Sequence, residues 1–338
     1  MTKSICVVGA GVVGLTTAIV LASRYEVQII ADKFGADTDS VKATAVWHVY
    51  LVPETAEVLE WSSVTLQRLL EISQLYPESG VEIIRGVELF RAQRRHVPTW
   101  SHIPPEFAFL TDDELRRFNE PEGALHGSMS SLSNAPVKWG YRLKAPAAKM
   151  SSYLNWLVEQ AEKRNVQFRR QHVERLADLS CQHDIVVNCT GLGAATLVND
   201  EAFEPYKGQY FVVASNDGSP TEYIGDDDHP DGMAYVIPRG GQVMIGGSAE
   251  AGLNDLVETI KWSDVVARAG RYVPWVRDSA SERPRQLVVG VRPVRPSGIR
   301  LEREVLETGT CVVHNYGHGG SGFSLSWGCA NAVSALIG

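Results

Sequence analysis

The chain has no excess of positive charge: 32 Lys and Arg stand against 40 Asp and Glu, a net charge of −8. That balance argues against a nucleic acid or an anionic membrane surface as partner. Its five cysteines (Cys6, Cys181, Cys189, Cys311 and Cys329) are an odd number with no C-x-x-C spacing. Disulfides and a metal site are therefore not expected, and Cys6, Cys189 and Cys311 read as small hydrophobes in apolar runs. No apolar run is long enough to span a bilayer. There is no internal repeat or low-complexity stretch. The N-terminal apolar run leads into a glycine fingerprint rather than a cleavage site, and Ala335-Leu336-Ile337-Gly338 is no S-K-L address. The cytoplasm is the expected location. At 338 residues the chain exceeds one ordinary hydrophobic core, so two domains are expected.

What is present begins at Ser4, where an apolar strand runs into Gly9-Ala10-Gly11-Val12-Val13-Gly14 and then into a helix. This G-x-G-x-x-G after a strand is the fingerprint of a βαβ dinucleotide-binding unit. The first glycine permits the tight turn, the second lets backbone approach a pyrophosphate, and the third lets helix and sheet pack closely. The helix N-terminus offers partial positive charge to the phosphates. A second short strand at 26–30 ends beside Asp32, 23 residues after Gly9, where a carboxylate can accept from ribose hydroxyls. The alternative is a glycine-rich turn that binds nothing, and the strand, helix and carboxylate together weigh against it.

Two more strand-to-glycine turns follow, at 184–193 and 311–322, the second leading into a helix. One nucleotide-binding sheet built from non-contiguous pieces is implied, with ligands at the carboxyl ends of its strands. Helices are expected over 13–24, 55–76 and 149–164, the last two from apolar stripes of helical period. Residues 81–91 alternate like strands split at Gly86, and 92–136 are rich in turn residues, with Arg94-Arg95 read as solvated surface. Between the second and third glycine turns the character changes. A strand at 208–214 and a hairpin of 233–238 with 243–247 around Gly240-Gly241 predict an antiparallel sheet in an interleaved second domain.

Several side chains are candidates for chemistry. Arg292 and Arg295 each precede a proline, which favours an extended backbone and a preorganised guanidinium suited to a carboxylate. An interdomain salt bridge is the alternative, and spacing leaves both open. The run Gly317-His318-Gly319-Gly320-Ser321-Gly322 implies close backbone approach to something flat or phosphorylated. His314 and His318 lack a carboxylate or thiolate cluster, so no metal is expected. Tyr235 sits on a strand, as a core residue or a site residue. Asp226-Asp227-Asp228 reads as a solvated loop.

Together these pieces resemble the D-amino-acid oxidase family of flavoproteins over nearly the whole chain. The carrying motifs are G-A-G-V-V-G at Gly9, V-N-C-T-G at Val187, A-Y-V-I-P at Ala234, G-V-R-P-V-R-P-S-G-I-R-L-E at Gly290 and H-N-Y-G-H-G-G-S-G at His314, with W-G-C-A after it. The resemblance implies an α/β fold: an interleaved two-domain flavoprotein, with a Rossmann-like FAD-binding domain (1–50, 142–196, 289–338) and an antiparallel-sheet substrate domain (51–141, 197–288). By position, Arg292 matches the arginine that grips the substrate carboxylate, Tyr235 the tyrosine that adds a hydroxyl, and Gly320 the glycine whose carbonyl accepts from the substrate amine. Gly9, Gly11, Val12, Val13, Gly14, Asp32, Lys33 and Val173 match the adenine-dinucleotide grip on FAD. Trp47, Gly191, Gly317, Gly319, Gly320, Gly322 and Phe323 are expected near the flavin.

The chain departs from the family in two places. A glycine before the flavin-facing tryptophan and a proline after it are replaced by Thr44, Ala45 and Val49 around Trp47, and a lid tyrosine is missing where Asp231 and Gly232 stand. The activity implied is FAD-dependent oxidative deamination of a D-amino acid, with dioxygen as acceptor, and a homodimer is compatible with it. The altered segment favours the alternative of a glycine- or sarcosine-type or biosynthetic secondary-amine oxidase or dehydrogenase. A non-catalytic dinucleotide sensor would need no clamp such as Arg292 with Tyr235.

Overall fold

The structure, a computed structural model, describes residues 3–92, 97–119, 135–252, 260–278, 280, 283 and 285–338. Arg94 and Arg95 lie outside the described residues. The chain divides into two compact units, residues 1–81, 148–206 and 291–338 in one and 82–147 and 207–290 in the other.

The first unit is built on a six-stranded sheet in the order Arg300–Val305, Cys311–Tyr316, Ile185–Asn188, Ser4–Val8, Glu26–Ala31, Gln167–Arg170. All neighbours are parallel except the first pair. Ser4–Val8 lies between two partners and is covered on both faces, so Ile5, Cys6, Val7 and Val8 are all apolar and buried. The strand-to-helix turn then needs its glycines. Gly9 has φ 109°, and a Cβ there would meet the Cys189 carbonyl oxygen at 2.5 Å. A Cβ at Gly14 would collide with the Gly9 carbonyl, so helix Val12–Leu21 rests directly on the turn.

Helix Ala56–Leu75 starts at Thr55, whose hydroxyl accepts from the Val58 amide at 3.3 Å. It corrects the expected domain boundary. Residues 51–81, expected with the second domain, cluster in the first. The reason is packing against the C-terminal helix Gly322–Ile337, where the Gly328 amide donates to Thr65 Oγ1 at 2.9 Å.

The second unit carries a nine-stranded sheet whose middle strands run Tyr206–Ala214, Gln242–Gly246, Ala234–Arg239, Tyr223–Asp226, Val81–Phe90 and Trp139–Ala148. The expected hairpin is there, with Tyr235 opposite Gly246 and Arg239 opposite Gln242. Strand Val81–Phe90 is continuous through Gly86, because Tyr223 lays its ring where a side chain would otherwise stand. The stretch read as turns holds strand Glu106–Phe109 and helix Asp112–Asn119.

Asp227 and Asp228 lie in an exposed turn, as expected, but Asp226 does not. Asp226 closes strand Tyr223–Asp226, is fully buried, and pairs with Arg91 Nη1. Tyr272 Oη donates to its second oxygen at 2.5 Å, and the Arg91 amide donates to Asp228 at 2.8 Å. A buried carboxylate stays charged only when paired in this way. Glu88 faces the same acids, and its pKa is raised well above the usual range by burial and by Asp227 and Asp226.

Candidate active site

The turn at Gly9 opens the carboxyl end of the first sheet. Helix Val12–Leu21 has no side-chain cap at Gly11 and no acidic residue in its first turn, which leaves its positive end available to an anion. The Val12 amide donates to Ser40 Oγ at 3.0 Å, and a Cβ on Gly11 would come within 2.8 Å of that oxygen. Ser40 was not among the expected residues. It comes from a short 3-10 turn, Asp39–Lys42, for which the sequence carries no glycine signature.

Asp32 and Lys33 follow strand Glu26–Ala31 and are exposed. Asp32 Oδ2 lies 3.3 Å from His172 Nδ1, and Arg170 donates to the Asp32 carbonyl at 2.9 Å. Val173, half-buried, packs with Cys6, Val8 and Ile30 at the same end of the sheet. A glycine turn at a helix end free of acidic residues, with a carboxylate just after the next strand, suits the pyrophosphate and ribose of a dinucleotide.

The loop after strand Cys311–Tyr316 is held by residues around Tyr50. Gly317 and Gly319 have φ 84° and 54°. The Gly320 amide donates to the Tyr50 carbonyl at 3.1 Å, and Ser321 Oγ accepts from the Tyr50 amide at 2.7 Å while donating to the Tyr50 carbonyl at 2.9 Å. Gly320 is exposed, whereas Gly317, Gly319 and Phe323 are buried. A Cβ on Gly320 would lie 2.5 Å from the Tyr50 ring. Trp47 is fully buried, and its indole N–H donates to the Ser62 carbonyl at 3.1 Å. Tyr50 is the aromatic beside Gly320. Ala45, two residues before Trp47, takes a left-handed φ of 50°, a conformation that strains a residue other than glycine.

His318 is 3% exposed, and its Nε2 has no hydrogen-bond partner among the described residues. Burial pulls its pKa down to about 4, which keeps the ring neutral. Among the described residues no cluster of His, Cys, Asp or Glu could hold a metal ion.

The two arginines separate clearly. Arg295 Nε pairs with Asp200 Oδ2 at 3.0 Å, and its Nη1 donates to the Gly298 carbonyl at 3.0 Å. Tyr316 donates to the same Asp200 oxygen at 2.8 Å. Burial raises the Asp200 pKa, but bonds from Tyr316, the Ala202 amide and Arg295 outweigh it and hold it below the usual value. Arg292 instead lies with its guanidinium 5.7 Å from the centre of the Tyr50 ring. Gly191, with φ 57°, follows strand Ile185–Asn188 at the same carboxyl end of the sheet as Gly9, and Gly322 begins the C-terminal helix.

In the second unit Tyr235 lies on a cross-strand row with Gly246 and Tyr210. A Cβ on Gly246 would lie 2.5 Å from Tyr235 Cζ and 2.8 Å from Tyr210 Cβ, so the two tyrosines leave room there only for a glycine. Arg239, four residues along the strand, is buried on the same face, and burial pulls its pKa down to about 10 against the pull of Tyr210, Glu82 and Tyr235.

A family model described as FAD dependent oxidoreductase matches residues 4–336. A D-amino-acid oxidase from Rubrobacter xylanophilus is 34% identical, over 98% of this chain and 95% of its own. A human D-aspartate oxidase is 30% identical, over 99% of this chain and 95% of its own. Among solved structures, glycine oxidase from Geobacillus kaustophilus superposes with a TM-score of 0.75 at 19% identity, covering 99% of this chain and 95% of that one.

Proposed function

We propose, because this chain belongs to the family of FAD dependent oxidoreductases, that it catalyses the oxidative deamination of D-amino acids. The observation that carries the proposal is full-length relatedness at 30% identity or more to proteins whose names share one substrate class, the D-amino acids. The solved glycine oxidase, at 19% identity, speaks to the fold alone.

FAD, when bound, accepts the hydride leaving the substrate Cα and passes the electrons to dioxygen, which becomes hydrogen peroxide. The released imino acid hydrolyses in water to a 2-oxo acid and ammonia. In this reading Gly9, Gly11, Val12, Val13 and Gly14, with Ser40, hold the pyrophosphate. Asp32, Lys33 and Val173 hold the adenosine end, and Trp47, Gly191, Gly317, Gly319, Gly320, Gly322 and Phe323 line the flavin. Arg292 grips the substrate carboxylate through its planar fork, and the Tyr235 hydroxyl donates to the same group. The Gly320 carbonyl accepts from the amine. Most of the rate then comes from alignment, a carboxylate and an amine held at fixed points so that Cα is oriented.

No helix among the described residues is long and apolar enough to cross a membrane. A cytoplasmic homodimer completes the reading, and light scattering of the holoprotein checks the dimer. The activity is tested under nitrogen. D-Alanine should bleach the flavin bands and L-alanine should not. Bleaching by glycine or sarcosine with none by any D-amino acid would replace this reading with the glycine- or sarcosine-type alternative.

A further inference from the structure

His314 is fully buried on strand Cys311–Tyr316, opposite Asn188 on one side and Glu302 on the other. Its Nε2 lies 2.9 Å from Glu304 Oε2, and its Nδ1 lies 3.4 Å from Asn188 Nδ2. The orientation of the Asn188 amide is fixed from its far side, where Oδ1 accepts from Thr190 Oγ1 at 2.8 Å and from the Thr190 amide at 3.3 Å. An amide NH2 only donates, so Nδ1 must be bare, and a carboxylate only accepts, so Nε2 must carry the proton. The turn that Asn188 ties down is packed on the dinucleotide turn. The Cys189 amide donates to the Val8 carbonyl at 2.9 Å, and a Cβ on Gly9 would stand 3.4 Å from Thr190 Cα.

We propose that His314 is a positioning residue for the FAD turn: as the neutral Nε2–H tautomer it links Glu304 to Asn188, which holds Thr190 and Gly191 against Gly9, so that FAD and a proton on His314 compete. The inference rests on FAD being the group bound at that turn. A second proton would place an N–H at Nδ1 directly against the Asn188 NH2. Asn188 must then turn, and its carbonyl leaves Thr190. The charged groups facing the ring are Glu304, Arg300 and Glu302 from strand Arg300–Val305, and the Tyr316 ring meets it edge-on at 5.6 Å. Burial lowers the His314 pKa, the Glu304 hydrogen bond raises it, and Arg300 lowers it, leaving it below the ordinary 6.5. The neutral form therefore holds at pH 7 and is lost as pH falls through that lowered value.

The test is titration of the apoprotein with FAD between pH 7.5 and 5, followed by flavin fluorescence, with circular dichroism confirming the fold at each pH. The wild-type Kd should be level at first and then rise by up to tenfold per pH unit below the His314 pKa. His314→Gln can accept from Asn188 and donate to Glu304 but cannot take a proton, so its Kd should stay level throughout. Glu304→Gln, at a half-exposed position, removes a charge that favours the imidazolium and should move the rise to lower pH. It decides the matter if His314→Gln does not fold. A wild-type Kd independent of pH, a rise that survives in His314→Gln, or a rise unmoved in Glu304→Gln overturns the inference alone. Absence of FAD binding at every pH overturns the reading beneath it as well.

Discussion

Arg292 and Arg295 share a local sequence, each followed by proline, and part ways only in what surrounds them. Arg295 belongs to a half-buried pair with Asp200, so Arg295→Ala leaves a carboxylate without its cation. It should cost about 1–2 kcal/mol of stability, read as a lowered thermal midpoint, since Tyr316 still donates to Asp200. Arg292→Lys should leave that midpoint and the flavin spectrum in place and lower kcat/KM by about 3 kcal/mol, roughly a hundredfold, in steady-state assays, because an ammonium cannot reproduce a bidentate fork. An Arg292→Lys enzyme within a few-fold of wild type would place the clamp elsewhere. The sequence could not separate the two arginines, since Asp200 lies 95 residues away and nothing near it announces the pairing. Tyr50 was hidden for a similar reason: its segment has no clear period, and its role comes from a loop 271 residues later.

Elements whose signal is local were legible. The helices over 12–21, 56–75 and 150–162 and the hairpin at Gly240-Gly241 follow from glycine turns, a threonine cap and apolar periodicity within one window. Strand Trp139–Ala148 and strand Arg300–Val305 were missed, because each takes its place from a partner rather than from its own pattern. The acidic strand end at Asp226 was misread because Arg91 stands 135 residues upstream. That element gives a pH prediction. Glu88 has a raised pKa in the folded state, so it releases its proton more readily when unfolded. The stability it contributes is present below its unfolded pKa and is lost as pH rises through the folded one. Glu88→Gln should raise the thermal midpoint at pH 8 by about 2–4 °C, an effect of about 1 kcal/mol, and should change little at pH 4. An equal shift at both pH values would mean packing rather than charge is responsible.

For the whole molecule, the alternation of glycine turns along the chain predicts two interleaved units, and the compact units divide differently from the expected domains at residues 51–81, 142–147, 197–206 and 289–290. FAD at a hundred times its Kd should add about 2.7 kcal/mol to the stability of the first unit, visible as a thermal midpoint that climbs with FAD concentration. Because the expected contacts are turns, amides and hydroxyls, acid precipitation should carry the yellow colour into the supernatant, and colour held in the pellet would mean a covalent bond. The order of strands in the first sheet also sets a schedule for synthesis. Ser4–Val8 pairs directly with Ile185–Asn188, which pairs with Cys311–Tyr316, and Tyr50 is tied to Ser321. A nascent chain carries its glycine turn long before the third of these strands is made. The cofactor site can close only once Cys311–Tyr316 has been added, and until then the sheet keeps an open, apolar parallel edge.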